Sequence, residues 1–250
     1  MPRRSWPPPG RLPGLSAADR RRSGRPARPG EDAGAAAMKR GRLIVFEGID
    51  GSGKSSQAAA IAAVLRDRGL AVVTCRDPGS TPVGDAVREL LLHRHDLKLT
   101  AAAEMLLYMA ARAQLVREVI QPAIDEGRWV IADRFLLSNV VYQGHAGGLP
   151  PEQVRQVGEV ATGGLSPDVT VLLDADLQTL AKRLDRPLDR LESRGEAYRQ
   201  RLQQGYHREA ADDPSVVTVD ASGDPASVQQ AILAVLETTF PELTGPAVDD

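Results

Sequence analysis

The chain has 250 residues, 42% of them hydrophobic, enough for one large domain or two small ones with a sizeable core. No apolar run approaches the ~20 residues of a membrane-spanning helix. Its single cysteine, Cys75, excludes an intrachain disulfide, and four scattered histidines offer no metal-ligand spacing.

The formal charge of -2 is uneven. Residues 1–37 hold eight arginines against Asp19, Glu31 and Asp32, which leaves an acidic body with 23 basic and 30 acidic side chains. An acidic body argues against a broad nucleic-acid-binding face, although a few placed arginines can still hold a small anion. A reducing, cytoplasmic compartment is expected, with no membrane and no nucleic-acid partner. The first 37 residues contain seven prolines and no hydrophobic periodicity, so they are expected to be disordered. They lack a secretory apolar region, and their prolines oppose an amphipathic targeting helix. Met38 is the expected true start, a nucleic-acid arm being the competing reading of the tail. Residues 38–250 are expected to form one domain.

From Arg42 onward apolar runs alternate with helical stretches. Strands are predicted at 43–48, 71–75, 129–133, 169–174 and 215–220. Helices are predicted over Lys54–Arg68, Pro82–Leu92, Ala101–Glu126, Pro151–Ala161, Leu177–Leu184, Gly195–Ala211 and Pro225–Glu237. The strands are mostly continuous Val/Ile/Leu runs, as strands buried on both faces are. This is the pattern of an α/β/α sandwich around a five-stranded parallel sheet. Ligands in such sheets lie beyond the carboxyl ends of the strands. Those ends carry the glycine loop, "RDPGST", "DRF" and "DASGD".

The stretch "FEGIDGSGKSSQ" fits the phosphate-binding pattern in full, from Gly48 to Gly53, Lys54 and Ser55, between a strand and a helix. Residues Gly48, Ile49, Asp50, Gly51, Ser52, Gly53, Lys54, Ser55 and Ser56 are the expected nucleotide-binding loop. Its glycines let backbone N–H groups surround phosphates at a helix N-terminus, Lys54 reaches the terminal phosphates, and Ser55 ligates magnesium. No guanine-reading "NKxD" is present, and the third strand ends in Asp133-Arg134 rather than the paired acids of a motor ATPase. That pair suits a kinase, with Asp133 organising the magnesium shell and Arg134 gripping an acceptor phosphate.

The motifs "FEGIDGSGKSSQ", "RDPGSTPVGDAVRELLL", "AAEMLLYMAARAQLV", "VIADRFLLSNVVYQG" and "LDRLESRGEAYRQRLQQGYHREA" together resemble thymidylate kinases from about Arg40 to Phe240. The resemblance implies transfer of the γ-phosphoryl of magnesium-ATP to dTMP by a cytosolic homodimer of P-loop fold with a helical lid at about 182–195. It assigns Asp50 to the sugar 3'-hydroxyl, and Arg76 and Arg134 to the acceptor phosphate. Tyr108 is assigned to stacking on the thymine ring and Arg112 to the base; the Asn139 amide can read a pyrimidine edge, and Gln143 is a further polar candidate for dTMP. Tyr142 crowds the sugar 2' position, and "DASGD" lies where this fold contacts adenine. Asp77 stands where the family has glutamate, and its shorter side chain is expected to alter how the loop supports Arg76. Ser80, Phe135 and Val141 are milder departures.

Some thymidylate kinases carry an arginine after the P-loop aspartate, whereas this chain has Gly51. The missing charge is expected from the segment "KRLDRPLDRLESRG", which offers Arg183, Arg186, Arg190 and Arg194. Arg186 and Arg190 are the favoured lid cations, oriented by Asp189 and Glu192. A kinase of another nucleoside monophosphate, or a regulator that binds nucleotide without turnover, are the rival readings.

Overall fold

The computed structural model describes residues 40–94, 96–184, 191 and 194–244. All of them belong to the unit Met38–Asp250. The sheet has five parallel strands: β1 (Leu43–Glu47), β2 (Val72–Arg76), β3 (Trp129–Asp133), β4 (Val169–Asp174) and β5 (Val216–Asp220). Their spatial order is β2-β3-β1-β4-β5, so β1 is central. β1 is buried along its whole length, which is why its sequence runs apolar without alternation. Its side chains still divide by the period of two. Ile44 and Phe46 join a core with Ile61, Leu65, Ile232 and Leu236 on one face of the sheet. Leu43 and Val45 join Leu115, Ile120, Ile124 and Val130 on the other.

The helices are α1 (Lys54–Asp67), α2 (Pro82–Leu92), α3 (Ala101–Leu115), α4 (Gln121–Asp125), α5 (Leu136–Asn139), α6 (Pro151–Thr162), α7 (Leu177–Arg183), α8 (Glu196–Asp212) and α9 (Pro225–Thr239). Thr81 and Thr100 cap α2 and α3 by accepting from Gly84 N at 2.9 Å and Ala103 N at 3.2 Å. Asp176 and Asp224 cap α7 and α9 in the same way.

Two differences from the sequence reading matter for the site. The single helix predicted over Ala101–Glu126 is interrupted by a wide π turn at Val116–Ile120. Pro122, at the start of α4, lacks the N–H that a continuous helix needs, and the widened turn accommodates it. The stretch after Arg134, for which no helix is predicted, forms α5 and continues as a π turn over Val140–His145. Strand ends shift by at most one residue.

Sheet register does the positioning. Phe46 pairs with Asp133, and Arg76 pairs with Asp133 from the other side. The residues that follow β1, β2 and β3 therefore emerge side by side at one edge. No helix among the described residues is long and apolar enough to cross a membrane.

Candidate active site

The loop between β1 and α1 is shaped by glycines. Gly48 has φ 138°, and a Cβ there would lie 2.3 Å from the Leu173 carbonyl oxygen. Gly51 has φ 90°, and a Cβ there would lie 2.5 Å from the carbonyl oxygen of Leu180 in α7. Only glycine fits either place. Lys54, 6% exposed, folds back so that Nζ donates to Ile49 O at 3.0 Å and lies 3.6 Å from Asp50 Oδ1. Burial and the neighbouring charge of Arg134 push its pKa down, against the pull of Asp50.

Ser55 Oγ donates to Asp133 Oδ2 at 2.5 Å. Two oxygen donors thus meet beside the loop, the hard-ligand chemistry a phosphate-bound divalent cation takes when substrate phosphates and water complete its shell. Among the described residues no cluster of three His, Cys, Asp or Glu side chains forms a separate metal cage. The loop, Ser55, Ser56, Asp133 and Arg183 line an open cleft of about 1560 Å³.

A second cleft, of about 560 Å³, brings together Tyr108 and Arg112 from α3, Asn139 from α5, Tyr142 and Gln143 from the turn after it, and Asp50 and Arg134. These side chains come from four places in the sequence, and all were expected at the acceptor. Leu191 from the predicted lid also lines this cleft. The two clefts share Asp50, Asp77, Arg88, Leu92 and Arg134.

Arg134 is the junction. It adopts φ 70°, a left-handed conformation unusual for a residue with a side chain. Its Nη2 donates to Asp50 Oδ1 at 2.6 Å and to Tyr142 Oη at 3.3 Å, and its Nη1 donates to Gly48 O and Ser138 Oγ at 3.0 Å. The guanidinium also sits 5.2 Å from the Tyr142 ring centre. Burial opposes the Asp50 charge, but Arg134 and Lys54 outweigh it and hold this carboxyl well below the ordinary range. Burial pushes the Tyr142 phenol well up, against Arg134.

The base-reading candidates form one chain of hydrogen bonds. Arg112, 1% exposed, donates Nε to Asp77 Oδ2 at 2.5 Å and Nη2 to Asn139 Oδ1 at 2.5 Å. Asn139 Nδ2 donates to Gln143 Oε1 at 2.8 Å, and Gln143 Nε2 reaches Glu104 Oε2 at 3.5 Å. Glu104 Oε1 accepts from Arg194 Nη2 at 2.5 Å. An arginine only donates, so Arg112 fixes which way both amides face.

Three expectations need correction or restriction. Asp77 does not support Arg76; its carboxylate pairs with Arg112, one buried charge neutralising another. Arg76 instead pairs with Asp85 at 3.3 Å, is 55% exposed, and lines the phosphate-loop cleft but not the acceptor cleft. Arg186 and Arg190, with Asp189 and Glu192, lie outside the described residues. Of the other arginines near the lid, Arg183 donates to the carbonyls of Ala221, Ser222 and Gly223, tying α7 to "DASGD". Arg194 is held by Glu104.

Sequence reasoning missed Glu47, Arg88, Glu104, Ser138 and Tyr206. Glu47 carried a signal: a carboxylate ending a wholly apolar strand has to find partners. Arg88, which donates to Pro78 O at 3.0 Å, gave none beyond helical spacing.

Residues 46–232 match the family model described as Thymidylate kinase. The chain is similar to thymidylate kinase of Rhizorhabdus wittichii, 42% identical over 206 residues that cover 80% of this chain and 99% of the relative. It is similar to that of Caldanaerobacter subterraneus, 40% identical over 79% of this chain and 96% of the relative. The solved structure of Ehrlichia chaffeensis thymidylate kinase matches with a TM-score of 0.64 and 26% identity, covering 78% of this chain and 98% of that one. A phosphate loop after the central strand of a five-stranded parallel sheet, together with these matches over most of the chain, means that the chain belongs to the thymidylate kinase family.

Proposed function

We propose that this chain transfers the γ-phosphoryl of ATP to the 5'-phosphate of dTMP, giving dTDP and ADP, with Mg²⁺ as the divalent ion. The observation that carries this reading is the meeting of the two clefts at Asp50 and Arg134. A donor phosphate on the loop and an acceptor phosphate in the second cleft would face each other there. An acceptor oxygen attacks the γ-phosphorus, the bond to the β–γ bridging oxygen breaks, and no protein side chain is phosphorylated. The protein supplies orientation and charge.

Lys54 meets the terminal phosphates within the loop Gly48–Ser56. Ser55 and Asp133 hold the Mg²⁺, which supplies charge neutralisation on the donor phosphates when bound. Arg134 receives the acceptor phosphate, Arg76 meets it from the phosphate-loop cleft where that cleft adjoins the second, and Arg186 and Arg190 supply the remaining positive charge for the transferred group. Asp50 takes the sugar hydroxyl, and the Tyr142 ring crowds the 2' position. Tyr108 stacks on thymine. Arg112, Asn139 and Gln143 read its edge with amide directions already set.

A homodimer fits the exposed apolar side chains Val83, Leu106 and Val160 on α2, α3 and α6, neighbouring helices of one subunit. The acidic body argues against a broad nucleic-acid-binding face, and the lone cysteine and the family likeness support a reducing, cytosolic setting.

A coupled assay with ATP and a panel of nucleoside monophosphates tests the acceptor. Turnover should be best with dTMP. dUMP, lacking one methyl group, should follow by about 10- to 200-fold in kcat/KM. Equal turnover of a purine monophosphate overturns the assignment.

A further inference from the structure

Glu47 ends β1 and directly precedes the phosphate loop, yet it lines neither cleft and is wholly buried. Four donors converge on it. Oε1 accepts from Phe135 N at 2.9 Å and Ser138 N at 3.0 Å. Oε2 accepts from Ser138 Oγ at 2.6 Å and Tyr206 Oη at 2.9 Å. Arg134 Nη1 lies 3.9 Å away. So heavily satisfied a buried carboxylate needs a reason to be there, because an apolar side chain would carry no desolvation penalty.

We infer that Glu47 is a positioning residue that fixes, through the Ser138 and Tyr206 hydroxyls, where Arg134 presents its guanidinium to the acceptor phosphate. The inference rests on the proposed role of Arg134.

The backbone gives the first reason. Arg134 is left-handed, a conformation that persists only where surrounding structure imposes it. Its own N–H bonds to Phe46 O at 2.9 Å, and the N–H groups of Phe135 and Ser138 both end on Glu47. The strand that leads into the phosphate loop therefore clamps the turn that aims Arg134.

Proton direction gives the second. Each hydroxyl has one proton, and a carboxylate can only accept. With both protons directed at Oε2, the lone pairs of Ser138 Oγ and Tyr206 Oη remain for Arg134 Nη1, at 3.0 and 3.3 Å. A glutamine at this position would keep the shape but add an N–H pair. At least one hydroxyl would have to reverse and turn its proton toward the guanidinium.

The experiment measures kcat, both KM values and the melting temperature for Glu47→Gln, Tyr206→Phe and Arg134→Ala. Glu47→Gln should raise the KM for dTMP at least about tenfold and the KM for ATP less than about twofold. A general loss of folding would move both together and is not expected. Tyr206→Phe removes one of the two relays and leaves the carboxylate, so it should raise the dTMP KM about threefold with the same asymmetry. It remains informative if Glu47→Gln fails to fold. If the dTMP KM of a folded Glu47→Gln is unchanged, or if Tyr206→Phe raises both KM values equally or neither, the inference is overturned. Arg134→Ala separates the two levels. If it leaves the dTMP KM unmoved, the role given to Arg134 fails. If it raises that KM while Glu47→Gln does not, only the role given to Glu47 fails.

Discussion

Replacing Asp77 by alanine removes, among the described residues, the only anion hydrogen-bonded to the buried guanidinium of Arg112. The pair is 2.5 Å apart, with side-chain exposures of 1% and 0%. Arg112 would keep Phe135 O at 3.1 Å and Asn139 Oδ1, which are neutral acceptors and cannot cancel its charge. Breaking a buried ion pair from one side costs about 3–5 kcal/mol. Against the 5–15 kcal/mol that holds an ordinary domain, this is a large fraction. Asp77→Asn keeps the shape and one oxygen acceptor, so its cost should fall between wild type and Asp77→Ala. Asp85→Ala is the internal control, because the Arg76–Asp85 pair is more than half exposed and such pairs contribute less than about 1 kcal/mol. Urea unfolding curves report the three costs, provided the slope stays constant. If Asp77→Ala and Asp85→Ala lower stability equally, the buried pair is not what holds Arg112, and the account of the acceptor wall fails with it.

Burial, with the charges of Asp77 and Asp133, pushes the Cys75 thiol up to about 12. It should resist a thiol reagent at pH 8 in the native protein and react once on unfolding. Because its folded pKa exceeds the unfolded value near 8.5, its contribution to stability is intact below about pH 8.5 and is lost as pH rises from there toward 12. A native Cys75 that reacts as fast as a free thiol would refute this. Replacing Arg186 or Arg190 by alanine should lower turnover at least about tenfold, more than about 1.36 kcal/mol of barrier, while ATP affinity falls less. Two single variants that turn over like the parent would send the search for the missing cation elsewhere. A chain beginning at Met38 should match the full chain in activity and melting temperature. A clear loss in either would give residues 1–37 a role.

The sheet was legible because strands buried on both faces run nearly continuously apolar, as β1 and β4 do apart from Glu47, Thr170 and Asp174. The phosphate loop was legible because its geometry admits few residues at Gly48 and Gly53. The second cleft was legible as a set of residues that come together, Arg76 excepted, but not as a network. Nothing local in "RDPG" says that Asp77 turns to Arg112 and leaves Arg76 to Asp85; that choice depends on how three elements pack. The helix over Leu136–Asn139 escaped because it is only four residues long and runs directly into the π turn over Val140–His145, too short a stretch for a 3.6-residue period to stand out. Glu47 was visible but was read as part of a motif, when its partners lie as far along the chain as Tyr206.

The backbone of α7 resting against Gly51 makes the phosphate loop and the helix that leads into the expected lid a single keyed joint. An arginine cannot be exchanged into position 51 by itself, since its first carbon would collide with Leu180 O and a close-packed helix yields little. Gly51→Arg should therefore melt lower than the parent and gain no turnover, unless Leu177–Arg183 withdraws at the same time. Loop-borne and lid-borne cations are then alternatives separated by a concerted rearrangement of two elements. An inhibitor wedged between Gly51 and Leu180 would disturb both at once.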